Sequence, residues 1–286
     1  MINVFVSDML QLQEVPCERL SARFSIIGGK HSETLSGIED AKGVMKFNIR
    51  LDGVIFSSHG CKLLGVFYGA AGDTPRPTIV LLHGLPGFEY NLDLAYALRD
   101  AGWNTLCFHY RGCWGSEGNF SVKGIVEDVR AAVEWIRTQP SVEKECLVLI
   151  GMSGGGYAAL AAGAADPRFK ALVALSPLIN PAEASLSMDG LNEIAAFVQG
   201  VTGPQLKDQF DRLPSIMKVA GNLRDRKILL ITGDLDDLLP PNHFRQFVND
   251  LPDVTWRRFP LGDHYLSACR KELVETVMGW LKEACA

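Results

Sequence analysis

From Val44 onward, short unbroken apolar runs alternate along the chain with amphipathic stretches of helical spacing. Val44 to Ile49, Leu63 to Tyr68, Thr78 to Leu82 and Asn104 to Phe108 read as strands, as do Cys146 to Ile150, Ala171 to Leu175, Lys227 to Thr232 and Val254 to Phe259. Apolar runs this short, without polar alternation, fit strands covered on both faces. Between them, Asn91 to Ala101, Val122 to Thr138, Gly154 to Asp166, Pro241 to Asp250 and Ala268 to Ala284 carry the helical pattern. The alternation predicts an α/β fold: a mostly parallel central sheet with helices on both faces and functional loops at the strands' carboxyl ends.

Two stretches depart from this rhythm. Residues 177–226 hold no strand pattern, whereas Leu191, Ile194, Ala195 and Val198 follow helical spacing, as do Leu206, Phe210 and Leu213 before Pro214. They predict a small helical cap inserted after the sixth main strand, dividing the core into residues 44–176 and 227–286. Part of the cap's apolar surface must dock on the core. The remainder, with Leu191, Ile194, Val198 and Phe210 as candidates, is expected to line a compact substrate pocket. Residues 1–43 form an extension with apolar clusters at Val4 to Val6 and Phe24 to Ile27, separated by polar and Gly-rich stretches. An added hairpin on the sheet edge, a homodimer contact and a loosely packed extension all fit it.

The chemistry concentrates at Cys146 to Asp166, CLVLIGMSGGGYAALAAGAAD. Glycine in a helix costs about 1 kcal/mol relative to alanine, yet Gly154, Gly155 and Gly156 stand where a helix begins. Gly151, Ser153 and Gly155 fit G-x-S-x-G, in which a serine occupies a strained strand-to-helix corner and crowding excludes side chains beside it. The motif also arises by chance; the strand and helix around it favour a nucleophile. Serine at its free pKa needs a base, and the base needs a carboxylate to fix its tautomer. Six histidines are available: His31 and His59 precede the core, His243 falls in a helix, His83 and His109 follow strands, and His264 lies in LGDHYL after the last strand. Asp234, Asp236 and Asp237 in GDLDDLLP are the candidate acids, and charge alone does not separate them. The loop His83-Gly84-Leu85-Pro86-Gly87 can aim the Leu85 N–H, with that of Gly154, at a developing oxyanion. His83 itself reads as structural.

Composition narrows the function. The net charge of -5, with no basic stripe, gives nucleic acid no footprint. No apolar stretch reaches the ~18 residues of a membrane span, and the first residues have no basic region ahead of a long apolar one, so a cytoplasmic protein is expected. Seven cysteines without C-x-x-C spacing suggest reduced thiols and no zinc site.

The order Ser153, Asp, His264 is that of the α/β-hydrolase fold, which the chain resembles from about Val54 to its end. HGLPG resembles that family's oxyanion loop, YRGCWGSEG its R-G-x-G-x-S-x-G loop and GMSGG its elbow. Gly233-x-x-Asp236-x-x-Leu239-Pro240 resembles the family's G-x-x-D-x-x-V-P, which implies Asp236 as the acid with Asp237 in reserve. A histidine after the final strand matches the family's base, which implies His264, with His109 as the rival. The cap looks like that of carboxylesterases of the cinnamoyl or feruloyl esterase type. The resemblance implies a serine carboxylesterase acting on a small ester, with no metal or cofactor; an exo-acting peptidase or a thioesterase is the alternative. A peptidase would need a carboxylate for a substrate amine, and Glu183, Asp189 and Glu193 in the cap are candidates. Two departures stand out: RGCWG is one residue longer than R-G-x-G, and Gly154 occupies a position where many esterases carry a larger side chain.

Overall fold

A computed structural model describes residues 38–39, 45–88 and 91–285. Most of the N-terminal extension therefore lies outside the described residues, including the clusters at Val4 to Val6 and Phe24 to Ile27. Of the expected strand Val44 to Ile49, Val44 lies outside the described residues, and Met45–Lys46 form a short strand pairing antiparallel with Ile38–Glu39. Phe47 adds a single bridge to Gly72.

Eight strands form one sheet: β1 (Arg50–Ser58), β2 (Cys61–Gly69), β3 (Arg76–Leu82), β4 (Asn104–Phe108), β5 (Val142–Met152), β6 (Phe169–Leu175), β7 (Lys227–Gly233) and β8 (Val254–Phe259). Their spatial order is β8-β7-β6-β5-β3-β4-β2-β1. β2 runs antiparallel to β1 and β4, and the other pairs are parallel. β1 escapes the sequence pattern because it lies at the edge. Its residues alternate, with Val54, Phe56 and Ser58 buried and Leu51 and Ile55 exposed, so no continuous apolar run marks it.

The helices divide between the two faces. On one side α1 (Leu92–Asp100) and α7 (Arg270–Ala284) bring Leu94, Leu98, Leu273, Val277 and Leu281 onto Val148, Ile150, Val173 and Leu229. On the other, α2 (Val122–Arg137), α3 (Gly154–Ala165) and α6 (Asn242–Asp250) bring Ile125, Val129, Leu160 and Phe244 onto Leu147, Leu149, Leu172 and Leu230. Neighbouring positions of β5 thus feed opposite cores, and each fully buried leucine contributes roughly 1.5–3 kcal/mol. α2 starts where expected because Ser121 caps it, its Oγ accepting the Gly124 N–H at 3.0 Å. Strand order, direction and layering are those of the α/β-hydrolase fold.

Between β6 and β7 the chain inserts the helical cap, with α4 (Met188–Phe197) and α5 (Gly203–Arg212) packed on each other. Its two legs meet at Ile179. The carbonyl there accepts the Ile216 N–H at 2.8 Å, and its N–H donates to His243 Nε2 on α6 at 2.9 Å. His243 is therefore a neutral structural acceptor at the cap's root.

Candidate active site

β5 leads directly into α3 through Ser153, whose φ of 54° and ψ of -117° are outside the regions ordinary residues occupy. Such strain persists only where surroundings over-determine it. Here they do: Ser153 N–H donates to the Leu175 carbonyl at 2.9 Å, and its carbonyl accepts the N–H groups of Tyr157 at 3.0 Å and Leu178 at 3.2 Å. A Cβ at Gly151 would collide with the Gly155 carbonyl, one at Gly155 with the carbonyls of Leu82 and His83, and one at Gly156 with Pro177. At Gly154 a Cβ would meet only Leu85, with Cγ at 3.5 Å. Clearance thus explains three of the four glycines, and position 154 has room for a side chain.

This contrast gives a stability prediction. Gly155→Ala forces backbone apart on β3 and is expected to destabilise by about 3 kcal/mol or more, whereas Gly154→Ala should be near neutral. Thermal unfolding of the two variants checks it; equal midpoints would contradict the clearance argument.

The loops after β7 and β8 converge on a buried imidazole and carboxylate. His264 Nδ1–H donates to Asp236 Oδ2 at 2.8 Å, and the other carboxylate oxygen accepts the N–H groups of Leu239 at 2.8 Å and Leu238 at 3.1 Å. With the proton on Nδ1, His264 Nε2 is left as an acceptor. Asp234 instead pairs with Arg258 at 2.9 Å, and Asp237 is exposed. Of the three acids in this loop, Asp236 is the one brought to His264.

The loop after β3 lies against the serine corner. Gly84 sits so close that a Cβ there would be 3.2 Å from that of Ser153, and the Leu85 side chain touches Gly154. Leu85 and Gly154 are therefore neighbours beside Ser153. His83 is buried, and burial pushes its pKa down to about 3, so its ring is neutral. Its Nδ1 lies 2.7 Å from the Gly84 carbonyl, and Tyr110 Oη donates to the His83 carbonyl at 2.9 Å. These contacts make His83 a brace for the loop. His109 packs its ring 5.6 Å from that of His83, and burial lowers its pKa too.

The cap residues expected to line a pocket sit otherwise. Leu191, Val198 and Phe210 are buried in the core, and Ile194 packs half-buried against it. Helical periodicity marked their apolar side correctly, but that side is closed off by packing: α4 lies on α5, and α5 also meets α2. Three rings that the sequence reading passed over are open instead: Phe88, Trp114 and Phe197. Of the cap carboxylates, Glu183 lies 3.3 Å from His243 Nδ1 and lines a cavity of about 370 Å³ to which neither Ser153 nor His264 contributes. Asp189 is an exposed first-turn residue of α4. Glu193, also exposed, comes near Tyr265: burial, then the carboxylates of Glu193, Asp263 and Asp236, raise that phenol's pKa.

No helix among the described residues is long and apolar enough to cross a membrane. The profile of the prolyl oligopeptidase family matches residues 90–286. An uncharacterised protein of Mycobacterium tuberculosis (strain H37Rv) is 31% identical over 191 residues, covering 66% of this chain and 63% of that protein. Among solved structures, Est1E from Butyrivibrio proteoclasticus with bound ferulic acid superposes with a TM-score of 0.68 at 19% identity, over 81% of this chain and 99% of that one. An esterase of Pyrococcus furiosus gives a TM-score of 0.65 at 19% identity, over 88% and 96%. At these identities the structural likeness speaks for the fold alone.

Proposed function

Because the chain belongs to the prolyl oligopeptidase family, whose profile spans Ser153, Asp236 and His264, we propose that it is a serine hydrolase cleaving short acyl or aryl carboxylic esters. The observation that carries this reading is the buried bond from His264 to Asp236, which leaves one imidazole nitrogen free to act as a base. Ser153 Oγ attacks the ester carbonyl while His264 Nε2 takes its proton. The N–H groups of Leu85 and Gly154 receive the oxyanion, in a role where one donor is worth roughly 3–4 kcal/mol. His264 then gives its proton to the leaving alcohol. A water, deprotonated by His264, attacks the acyl-enzyme and releases the acid and Ser153. Asp236 holds the tautomer throughout and stabilises the imidazolium. The bound ferulic acid of Est1E and the esterase naming of the Pyrococcus protein support an ester as the substrate.

A second reading, cleavage of an aminoacyl or peptidyl amide, is favoured by the family's name and by Glu193. That carboxylate lies near Tyr265, the residue after His264, where it could face a substrate ammonium. A panel of short-acyl, long-acyl and aryl esters beside aminoacyl amides separates the two. Short and aryl esters should be hydrolysed with kcat/KM about 100-fold or more above any amide. The reverse order would replace the esterase reading with the peptidase one, and a preference for long acyl chains would contradict the compact substrate.

A further inference from the structure

Arg270 opens α7, where a positive side chain opposes the helix dipole, so the helix itself gives no reason for an arginine there. Its guanidinium instead joins the loop after β8 to the start of α1. Nη1–H donates at 3.3 Å to the carbonyl of Tyr265, the residue after His264. Nη2–H donates to Asn91 Oδ1 at 2.9 Å, and Nε–H and Nη2–H fork onto the two carboxylate oxygens of Asp93 at 2.9 and 2.6 Å.

Asn91 carries the link inward. It is fully buried, takes a left-handed φ of 55°, and although it stands at the N-cap of α1 its side chain caps no helix N–H. An asparagine in that position ordinarily turns its oxygen onto the first helical turn. Here the oxygen accepts from Arg270, and the amide nitrogen lies 4.0 Å from the sulfur of Met152, the residue before Ser153. Guanidinium, amide and thioether thus form a chain from the backbone beside His264 to the side chain beside Ser153.

Asp236 fixes the tautomer and tilt of His264, but both residues follow β7 and β8, and β6 separates those strands from β5, which ends at the serine corner. Their bond does not set the spacing between imidazole and serine. The loop that carries His264 closes on itself: Leu266 N–H donates to the Asp263 carbonyl at 3.0 Å, Ser267 N–H donates to Asp263 Oδ1 at 2.7 Å, and Leu266 holds a φ of 56°. These features shape the loop, and Arg270 ties it to the serine side. We propose that Arg270 is a positioning residue of the reaction: through Asn91 and Met152 it holds the His264 loop at a fixed separation from the Ser153 corner. The assignment rests on the esterase reading above. A simple ion pair between α1 and α7 would be satisfied by any cation at position 270, whereas reaching Asn91, Asp93 and Tyr265 together demands the planar guanidinium fork.

The test compares ethyl butyrate with p-nitrophenyl butyrate in Arg270→Lys, Asn91→Gly and the double variant. Lysine keeps a charge opposite Asp93, and glycine accepts the left-handed backbone of position 91, so both single variants are expected to fold. Each should lower kcat/KM about 100-fold for ethyl butyrate and about tenfold for p-nitrophenyl butyrate, because nitrophenolate leaves without the proton that a displaced His264 delivers poorly to ethanol. For ethyl butyrate the loss should lie in kcat, with KM little changed. The double variant should be no worse than the worse single one, since one chain is cut twice. Equal losses on both esters, additive losses in the double variant, or unchanged kinetics would overturn the role. A large fall in melting temperature with wild-type kcat recovered in the cold would also overturn it, reducing Arg270 to a staple between α1 and α7. The rate of fluorophosphonate labelling at Ser153 separates the role from the esterase reading. Slower labelling of both variants, in a protein whose wild type hydrolyses neither ester, would reject the ester substrate and leave the positioning role. Labelling of the variants at the wild-type rate would reject the role even if esters are cleaved, and a wild type that is neither labelled nor active would reject both.

Discussion

Ser153→Ala is expected to lower kcat for the best ester by on the order of a million-fold, with thermal unfolding within a few degrees of the wild type. The size follows from the nucleophile's place in a unit whose members act together, where loss of the serine alone removes about as much as loss of the whole set. The fold should survive because the Ser153 hydroxyl supports none of the bonds that fix the corner. Those bonds run from its N–H to Leu175 and from Tyr157 and Leu178 to its carbonyl, and alanine retains both backbone groups. The corner's left-handed φ is imposed by the surrounding glycine-cleared packing, so alanine inherits it at similar strain. Steady-state kinetics and a melting curve on the same preparation check both halves. Near-wild-type turnover in a folded variant would remove Ser153 from the reaction.

The second large effect concerns the acid. Asp236→Asn should lower kcat about 10⁴-fold, while Asp234→Asn and Asp237→Asn remain within a few-fold of the wild type. Asparagine at position 236 can present its NH₂ to His264 Nδ1, which drives the ring proton to Nε2 and leaves no acceptor for the serine proton. Asp234 is occupied by Arg258 and Asp237 faces solvent, so neither is placed to substitute. His264→Gln should be at least as damaging, since it removes the base. Comparable, mild losses at all three aspartates would show that the 2.8 Å contact from His264 to Asp236 does not serve catalysis.

What the sequence could reveal depended on how local each signal was. The serine corner is written in consecutive residues, because crowding by Gly155, Leu82 and His83 excludes side chains at fixed offsets from Ser153. The buried strands β3 to β7 were likewise visible as apolar runs, since cover on both faces removes polar alternation. β1 was not, because an edge strand with one exposed face mixes Leu51 and Ile55 outside with Asp52 and Ser57. The choice among three neighbouring aspartates needed the turn that points Asp236 inward, against the Leu238 and Leu239 N–H groups. The cap misled in an instructive way. Periodicity identifies the apolar side of a helix but not the surface it meets, so Leu191, Val198 and Phe210 looked available for a pocket while being buried where α4 lies on α5 and α5 meets α2. The rings that do stand open, Phe88, Trp114 and Phe197, are brought together only by tertiary contacts such as the Cys113–Val198 bridge, and no spacing in the chain announces them.

The most direct test of the central claim is covalent labelling with a fluorophosphonate, followed by mass spectrometry of the digested protein. Phosphonylation replaces the proton of an activated hydroxyl and expels fluoride, and an ordinary serine is too weakly nucleophilic to react at a comparable rate. Labelling should reach one group per chain, fall on the peptide that contains Ser153, stop ester turnover in proportion, and fail in the His264→Gln variant. Turnover that persists in fully labelled protein, or a label carried by any other residue, would contradict the account.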